Sequence, residues 1–329
     1  MLSFAAEIFE TIVKFRNTFY DRGWLKSIAA DAPVVSIGNL SAGGSGKTPF
    51  VKLTCDLLKK YGLRPAIVGR GYKRASKGNI IVRDITGVRA TAEEAGDEML
   101  WLAERTGCAT LAADSKSDGA VYAAGLFKPD AIVVDDGFQH RRLKRDLDVV
   151  LIAESDLKRP FLMPQGRLRE PLYSVNRAHV IAIPEGVEEI YELPEFLQRE
   201  ALLVRFKREF GAFNFEPDNN FAFAGIARPE RFFNMLRGAG VPVGETHGLA
   251  DHFRFDPDSV NKIVQSVKKS RASRALTTEK DFVKLRRFLP LFEREGIALT
   301  AVPLEIKLTL GEEEYVERVV GAVRKRLPD

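Results

Sequence analysis

The residues with the clearest chemical meaning form one glycine-rich segment, which reads Ser-Ala-Gly-Gly-Ser-Gly-Lys-Thr from Ser41 to Thr48. Closely spaced glycines let backbone N–H groups converge on phosphate oxygens, because no Cβ atom stands in the way. Lys47 can reach the β- and γ-phosphates of a nucleotide, and the Thr48 hydroxyl can bind Mg²⁺. Ser41 replaces the first glycine of G-x-x-x-x-G-K-[ST], but an apolar run before the segment and a helical pattern after it favour a phosphate loop over an accidental turn. The predicted nucleotide-binding residues are Ser41, Ala42, Gly43, Gly44, Ser45, Gly46, Lys47 and Thr48.

A pair of acids follows a second apolar run. Residues 131–134 read Ala-Ile-Val-Val and are followed directly by Asp135 and Asp136. A buried strand that ends in a carboxylate is the usual way to bring a ligand to Mg²⁺ beside a phosphate loop. Strands ending in Asp are common, so the pair has meaning only together with the loop. We predict that Thr48, Asp135 and Asp136 belong to a Mg²⁺ site.

Two further segments bear on the phosphoryl acceptor, since water would make the protein an ATPase or a switch and a hydroxyl would make it a kinase. Asp97 and Glu98 are adjacent acids early in a helical pattern, and His252 is one of only four histidines. A kinase benefits from a carboxylate that orients the acceptor hydroxyl and takes its proton, and a histidine can tune that carboxylate. Asp97 with His252 across a cleft would provide this. A solvated helix acid and a loop histidine are the simpler alternatives.

Basic side chains cluster in three segments, 70–74, 140–145 and 167–169. The first follows the apolar run at 66–68, the second follows the acid pair, and the third lies further along the chain. Residues just beyond the carboxyl ends of parallel strands line the binding crevice of an open α/β sheet. These side chains can therefore bind an anionic acceptor as well as a nucleotide. A merely solvated basic face is the alternative.

The elements that must position these residues are short apolar runs alternating with helical patterns from residue 33 onward. Apolar runs separated by helices indicate a largely parallel sheet that helices cover on both faces. The predicted strands are Val34–Ile37, Ala66–Val68, Ile80–Val82, Ala109–Ala112, Ile132–Val134, Val149–Ile152, Val180–Ile183, Phe221–Ala224, Ala275–Thr277 and Ala298–Val302, and the predicted helices are 49–60, 92–105, 116–126, 229–238, 258–269 and 311–326.

We therefore predict an α/β fold of the P-loop NTPase type, with a mostly parallel sheet flanked by helices, a second smaller α/β domain and an N-terminal amphipathic helix. A charged stretch at 184–215 reads as irregular and separates the two blocks. The predicted limits are 1–30 for the helix, 31–205 for the nucleotide-binding domain and 206–329 for the smaller domain, which would complete the active-site cleft.

Length and charge agree with this division. The chain has 329 residues, enough for about two domains with real cores. Its formal charge of +5 is mild for this length and does not suggest a nucleic-acid binder, although it suits an anionic membrane surface or an acidic substrate. Cys55 and Cys108 have no metal-ligand spacing and form no disulfide framework, so a reducing cytoplasm is expected.

The N-terminal segment carries an apolar face at helical spacing. Phe4, Ile8, Ile12, Phe15 and Phe19 share that face, and basic residues lie nearby. This pattern is typical of a helix lying in a membrane interface, with its basic side chains toward anionic headgroups. A helix that simply packs on its own domain is the alternative. No stretch reaches the roughly 18 consecutive apolar residues of a spanning helix.

Together these motifs resemble the tetraacyldisaccharide 4'-kinases (lipid A 4'-kinases). The Asp-Asp-Gly-Phe-Gln-His run is far more specific than the phosphate loop, and the matching blocks occur in order over nearly the whole chain. They are Ser36-Ile-Gly-Asn-Leu-Ser-Ala-Gly-Gly-Ser-Gly-Lys-Thr-Pro49, Gly69-Arg-Gly-Tyr-Lys-Arg74, Ala95-Gly-Asp-Glu-Met99, Val134-Asp-Asp-Gly-Phe-Gln-His-Arg-Arg142, Gly166-Arg-Leu-Arg-Glu-Pro171, Asp251-His-Phe253 and Thr277-Thr-Glu-Lys-Asp281.

The resemblance implies transfer of the ATP γ-phosphoryl group to the 4'-hydroxyl of a tetraacylated diglucosamine 1-phosphate in lipid A synthesis, with ATP and Mg²⁺ as cofactors. It implies peripheral attachment to the cytoplasmic face of a Gram-negative inner membrane, with no nucleic acid and no obligate protein partner. It also implies that Lys47, Asp97 and His252 are catalytic and that Glu98 helps to hold the metal. The implied substrate residues are Arg70, Tyr72, Gln139, His140 and Arg169.

Two rival classes remain. A P-loop switch ATPase of the partitioning type carries Lys-Gly-Gly-x-Gly-Lys-Thr, but this chain has Ala42 in place of the extra lysine. A soluble small-metabolite kinase would leave the N-terminal amphipathic helix unexplained. An acceptor-dependent phosphotransfer assay separates both classes from a lipid kinase.

Overall fold

The computed structural model describes residues 2–43, 46–187 and 201–327. Its strands are β1 Val34–Asn39, β2 Pro65–Gly69, β3 Ile80–Asp84, β4 Gly87–Val88, β5 Ala109–Ala112, β6 Ala131–Asp135, β7 Leu147–Leu151, β8 Val180–Pro184, β9 Leu202–Phe210, β10 Asn220–Ala224, β11 Val243–Gly248, β12 Arg274–Thr278, β13 Ala298–Val302 and β14 Leu304–Leu310. Its α-helices are α1 Leu2–Asp21, α2 Lys47–Lys60, α3 Ala92–Ala95, α4 Asp97–Thr106, α5 Lys116–Phe127, α6 Glu154–Lys158, α7 Pro229–Gly238, α8 Pro257–Lys269, α9 Glu279–Leu285, α10 Leu289–Arg294 and α11 Glu312–Arg324.

The chain divides into two compact units. The first contains Met1–Lys207 and Ile306–Asp329, and the second contains Arg208–Glu305. The C-terminal segment thus groups with the first unit, whereas the limit of 206–329 suggested by the sequence assigns it to the second. Hydrogen bonding explains the difference, because β14 lies beside β9 in the large sheet. The fully buried Tyr315 of α11 also packs edge-on against Phe50 of α2, with 5.7 Å between ring centroids.

The first unit is built on a ten-stranded sheet in the order β14-β9-β8-β7-β1-β6-β2-β5-β3-β4. The strands from β9 to β5 pair in parallel, and β3 is antiparallel to both β5 and β4. Every residue of β1, β6 and β7 is buried, as expected for strands covered on both faces. The predicted mostly parallel α/β sheet is confirmed.

The carboxyl ends of three central strands meet at one edge of this sheet. β1 lies between β7 and β6, and β2 lies on the other side of β6. Ile37 of β1 pairs with Asp135 of β6, so the phosphate-loop segment and the acid pair leave neighbouring strands at the same level. This edge collects the side chains that the sequence marked for phosphate chemistry.

Residues 202–210, inside the stretch that the charges suggested was irregular, form β9 in the structure. Arg205 stands between the apolar residues Val204 and Phe206, but residues 207–209 read Lys-Arg-Glu, and this run of charge concealed the strand. The sequence also gave no indication of β4, β11 or β14.

The predicted helix 92–105 is divided at Gly96. Thr91 and Glu94 form the predicted capping box, but Gly96 has a φ of +84° and ends α3 after a single turn. A Cβ atom at Gly96 would lie 2.9 Å from the carbonyl carbon of Gly71, so only glycine allows this approach. A new helix, α4, starts at Asp97.

The second unit contains a four-stranded sheet in the order β11-β10-β12-β13, with all pairs parallel. Apolar residues of α7 and α8 pack on its two sides, and their clusters include Phe233 and Val264. The predicted smaller α/β block is confirmed as a fold, and it holds the segment that contains His252.

Candidate functional site

The phosphate-loop segment leads from β1 into α2 as predicted. Gly43 and Gly46 have φ values of +105° and +94°, a region that side chains disfavour. Lys47 begins α2, and the buried Thr48 follows it. Gly44 and Ser45 lie outside the described residues.

The loop is held from one side by residues 167–169. The Ala42 N–H donates to the Arg167 carbonyl at 2.8 Å, and the Arg167 Nε donates back to the Ala42 carbonyl at 3.0 Å. A Cβ atom at Gly43 would lie 2.0 Å from Arg167 Nη2. Ser41 is buried and donates its hydroxyl to Asp156 at 3.0 Å, so that hydroxyl fixes the start of the loop.

Asp136 is the centre of a charged cluster. Arg169 binds both of its oxygens, with Nη1 2.9 Å from Oδ2 and Nη2 2.7 Å from Oδ1. Lys47 Nζ lies 3.5 Å from Oδ1. Burial opposes ionisation, but the hydrogen bonds from Arg169 and the charges of Lys47 and Lys116 hold the pKa of Asp136 far below its ordinary value. Asp136 is therefore a fixed anion between two predicted site cations.

Asp135 is in a different state. It is buried, and its Oδ1 has no hydrogen-bond partner among the described residues. Burial, followed by repulsion from Glu98, raises the pKa of Asp135 to about 6. An unpartnered carboxylate oxygen near a second acid is an unfavourable arrangement that a divalent cation would relieve.

The donor set suits Mg²⁺ in a nucleotide complex. No group of three or more His, Cys, Asp or Glu side chains in 2–43, 46–187 and 201–327 has the arrangement of a metal site. Mg²⁺ bound with ATP usually takes only one or two protein oxygens, and phosphates and waters supply the rest. Asp135 and Thr48, at the ends of neighbouring elements, fit that role.

Asp97 and Glu98 occupy the first turn of α4, where the helix dipole favours negative charge. Met99, the next residue, packs against Gly69: a Cβ atom at Gly69 would lie 2.3 Å from the Met99 Sδ. The break at Gly96 thus turns α4 toward the end of β2. The effect of Glu98 on the pKa of Asp135 agrees with its placement near the acid pair.

The other predicted substrate residues lie on two segments near the same edge. Arg70 and Tyr72 follow β2 and are exposed, and Gln139 donates its Nε2 to the carbonyl of Asn39 at 2.8 Å. Burial, followed by the charge of Lys116, lowers the pKa of His140 to about 4, so its imidazole is neutral at pH 7. The first unit therefore contains predicted residues from five separate sequence blocks.

Lys116 is a residue of this edge that sequence reasoning missed. It is 3% exposed, and its Nζ donates to the backbone carbonyl of Asp136. Burial lowers its pKa. The available signal was its position just beyond β5, since residues after the carboxyl ends of parallel strands line the crevice.

The predicted basic segments do not act as one surface. Arg74 is nearly buried and donates to the Ala112 carbonyl at 3.0 Å, and Arg145 binds Asp148 at 2.8 Å. These two arginines are structural, whereas Arg169 belongs to the cluster at Asp136.

His252 lies in the second unit, in a loop that is closely held. Its φ is +57°, and its N–H donates to the Gly225 carbonyl at 3.1 Å. Gly225 N–H in turn donates to the buried Asp281 at 2.8 Å. The predicted Thr-Thr-Glu-Lys-Asp motif thus supports the backbone next to His252.

The N-terminal helix α1 has two distinct faces. Ala6, Val13 and Asn17 are buried against the first unit. The predicted apolar face is exposed, with accessible fractions of 69% at Phe4, 47% at Ile8, 61% at Ile12, 60% at Phe15 and 37% at Phe19. Packing on its own domain, the alternative from the sequence, therefore leaves the apolar face uncovered. Among the described helices, none is long and apolar enough to cross a membrane.

Known proteins resemble the chain over nearly its whole length. The sequence model of the Tetraacyldisaccharide-1-P 4'-kinase family matches residues 1–324. A tetraacyldisaccharide 4'-kinase from Aquifex aeolicus is 33% identical, covering 95% of each chain, and one from Koribacter versatilis is 37% identical, covering 97% of this chain and 98% of that one. A crystal structure of the Aquifex aeolicus protein LpxK in complex with ATP superposes with a TM-score of 0.78 at 32% identity, covering 97% of both chains. The chain belongs to the tetraacyldisaccharide 1-phosphate 4'-kinase family.

Proposed function

We propose that this protein transfers the γ-phosphoryl group of ATP to the 4'-hydroxyl of tetraacyldisaccharide 1-phosphate, a step of lipid A synthesis. The observation that carries the proposal is the meeting of Lys47, at the start of α2, with the acid pair at the end of β6. Family membership supplies the identity of the acceptor, and that arrangement supplies the chemistry of phosphoryl transfer.

ATP binds through the segment Ser41–Thr48. The N-terminus of α2 offers backbone N–H groups to the phosphates, and the Lys47 ammonium neutralises charge on the transferred group. Arg167 keeps the loop in place through its bonds to Ala42. A crystal structure of a relative in complex with ATP supports this assignment.

Thr48, Asp135 and Glu98 are the residues that would hold Mg²⁺, and Asp136, the fourth residue predicted for the metal, would act on the site through the two cations that it binds. The Oδ1 of Asp135, which has no hydrogen-bond partner in 2–43, 46–187 and 201–327, is the feature that supports the site most directly. The bound ion would neutralise charge that develops on the phosphates. Asp136 is already bound by Arg169, and its carboxylate holds the Lys47 and Arg169 side chains in place beside the site.

Asp97 and His252 act on the acceptor. Asp97 orients or activates the 4'-hydroxyl, and His252 assists the same step. The tight loop at His252 and the first-turn position of Asp97 give each group a defined direction within its own unit. The remaining substrate contacts come from Arg70, Tyr72, Gln139, His140 and Arg169, which offer hydrogen bonds and positive charge to a sugar phosphate.

The protein attaches peripherally to the cytoplasmic face of the inner membrane through α1. The acyl chains of the substrate stay in the bilayer, so the enzyme must meet the headgroup there. The exposed apolar face of α1 provides the apolar surface that such attachment would bury in the membrane interface. No nucleic acid and no obligate protein partner belong to this function.

The deciding experiment is a transfer assay with ATP radiolabelled in its γ-phosphoryl group, run with the disaccharide lipid in detergent micelles, with a soluble sugar as acceptor, and without acceptor. Label in the lipid supports the proposal. Label released only as inorganic phosphate would favour the switch ATPase, and label on a soluble sugar alone would favour the small-metabolite kinase. Asp97→Ala is expected to lower turnover by about 10²- to 10⁴-fold while ATP still binds, because the loss falls on proton transfer.

Attachment is tested with vesicles of phosphatidylethanolamine and phosphatidylglycerol. Deletion of residues 1–26 is expected to weaken partition onto them. Because that deletion also removes docking contacts, the sharper variant replaces Ile8, Ile12 and Phe15 with serine and leaves the buried face intact. Thr11→Ser on the same helix is the matched control. Equal partition of the triple variant and the control would exclude α1 as the anchor.

A further inference from the structure

Glu170 is a fully buried carboxylate that receives three charged or polar donors. Arg16 Nη2 lies 2.9 Å from Oε1, and Asn17 Nδ2 and Arg177 Nη2 lie 3.1 and 2.7 Å from Oε2. A buried anion is tolerated only when it is paired and hydrogen-bonded, so these four side chains form one unit of structure. Two of the donors, Arg16 and Asn17, belong to α1.

The residue before Glu170 points into the phosphate site. Arg169 binds both oxygens of Asp136, and its N–H donates to the Leu40 carbonyl at 2.7 Å. Together with the bonds between Arg167 and Ala42, this fixes 167–169 along the entry to the phosphate loop. Consecutive residues of one short segment therefore contact α1 on one side and the reaction site on the other.

Arg177 extends the connection to the loop after the acid pair. Its guanidinium lies 4.5 Å from the centroid of the Phe138 ring. Phe138 is buried against β1, since a Cβ atom at Gly38 would lie 2.5 Å from the Phe138 Cβ. The carboxylate of Glu170 thus also restrains, through Arg177, the segment that carries Gln139 and His140.

A second tie joins α1 to this loop. Arg141, the neighbour of His140, donates Nη1 to the Asn17 carbonyl at 2.9 Å and Nη2 to Asp21 at 2.6 Å. The buried face of α1 is therefore attached at two points, and each attachment is next in sequence to a proposed substrate residue, Arg169 or His140.

We propose that Glu170 is a positioning residue through which α1, seated on the lipid surface, holds Arg169 and the 167–169 segment in the geometry that binds the lipid headgroup. In this arrangement α1 supports the substrate site in addition to anchoring the protein to the membrane. This inference rests on the proposed function for its kinetic consequences, but the mechanical link is measurable without turnover.

The mechanical test is hydrogen–deuterium exchange with phosphatidylethanolamine–phosphatidylglycerol vesicles. In the wild type, vesicles are expected to slow exchange in α1 and also in peptides covering 166–170. In Glu170→Gln, which keeps the shape but removes the charge, α1 is still protected and 166–170 is no longer further protected. Glu10→Gln removes an exposed ion pair of the same helix with Lys14, at 2.8 Å, and is the matched control. Equal protection of 166–170 in both variants would overturn the inference.

The kinetic test separates positioning from folding. Glu170→Gln is expected to raise KM for the disaccharide lipid about tenfold, with kcat within a few fold and KM for ATP unchanged, because the defect lies in headgroup binding. Arg16→Met should give the same pattern, and Arg16→Lys should recover most of the loss. A change in thermal stability with unchanged KM values would assign Glu170 a purely structural role. Wild-type protein without lipid phosphorylation would defeat the proposed function and leave the exchange result to decide the link.

Discussion

Arg169 engages both carboxylate oxygens of Asp136, at 2.9 and 2.7 Å, while the Oδ1 of the adjacent Asp135 has no hydrogen-bond partner among the described residues. The pKa values of these two neighbouring acids are thus shifted in opposite directions. The guanidinium keeps Asp136 ionised, and burial makes ionisation of Asp135 costly. This division assigns Asp136 to organising cations of the protein and Asp135 to binding a cation from solution.

The first prediction concerns stability at Asp135. Its pKa is about 6 in the folded protein and 3.8 without the environment of the fold, so the folded state binds more protons between these values. The contribution of Asp135 to the free energy of unfolding should therefore fall as pH rises from about 4 through 6, when Mg²⁺ and ATP are absent. Asp135→Asn removes the buried charge and should raise the melting temperature by a few degrees at pH 8, with a smaller gain at pH 5.

With Mg²⁺ and ATP added, the wild type should become more stable than Asp135→Asn, because the wild type gains stability from binding and the variant gains much less. Scanning calorimetry at the two pH values, with and without Mg²⁺ and ATP, measures both effects. Asp130→Asn is the control, since that carboxylate lies away from the site and pairs with Arg64 at 3.1 Å. A variant less stable than the wild type at pH 8 without ligands would contradict the assignment.

The second prediction concerns Lys116. Its Nζ donates to the carbonyl of Asp136, a residue with a φ of +53°, and so supports an unfavourable backbone conformation. Lys116→Met leaves that carbonyl without its donor and should lower kcat/KM by about 10- to 100-fold and the free energy of unfolding by about 1–3 kcal/mol. Lys60→Met, on an exposed lysine of α2, should change stability by no more than about 0.5 kcal/mol. Steady-state kinetics measure kcat/KM, and urea unfolding measures the free energy of unfolding. Equal kcat/KM values in the two variants would show that Lys116 does not belong to the site.

The sequence predicted the site better where the information is local. Ser41–Thr48 and the acid pair were found because phosphate and Mg²⁺ binding demand particular residue types next to a strand. Lys116 and Glu170 were missed as functional residues because their meaning depends on which side chains approach them from distant parts of the chain. Lys116 lies 20 positions from Asp136, and Glu170 lies 154 from Arg16.

The fold shows the same limit. Buried strands such as β1 and β6 are largely apolar runs and were predicted, whereas β9 contains three consecutive charged residues, 207–209, and was read as irregular. The return of the C-terminal segment to the first unit was not predicted, because strand pairing between β14 and β9 leaves no pattern within either strand.

The third prediction tests whether the C-terminal segment packs on the first unit. The Tyr315 hydroxyl lies 2.8 Å from Thr54 Oγ1, and Thr54 also donates to the Phe50 carbonyl at 2.9 Å. Tyr315→Phe should therefore cost only about 1 kcal/mol, since Thr54 keeps a partner. Tyr315→Ala should cost about 3–5 kcal/mol by leaving a cavity beside α2. Tyr61→Phe, on an exposed ring, is the control. Urea unfolding measures all three, and a near-neutral Tyr315→Ala would argue against docking of α11 in the nucleotide-binding unit.

The fourth prediction concerns the support of His252. Asp281 is fully buried, accepts from the Gly225 N–H and the Thr278 hydroxyl, both at 2.8 Å, and pairs with Lys284 at 2.9 Å. Asp281→Asn weakens that pair and the bond to Gly225, whose carbonyl holds the His252 N–H. The loop should then lose its fixed φ of +57°, so kcat should fall about 10-fold or more while KM for ATP stays unchanged.

A control in the same unit distinguishes loop support from general destabilisation. Asp256→Asn changes the N-cap of α8, where the carboxylate accepts from the Ser259 N–H at 2.8 Å, and it should alter stability by less than about 1 kcal/mol with kcat unchanged. Both variants are assayed well below their melting temperatures. If Asp281→Asn lowers the melting temperature but retains wild-type kcat, the buried carboxylate stabilises the second unit without directing His252. A loss of kcat with a folded, ATP-binding protein ties the histidine loop to the transfer step.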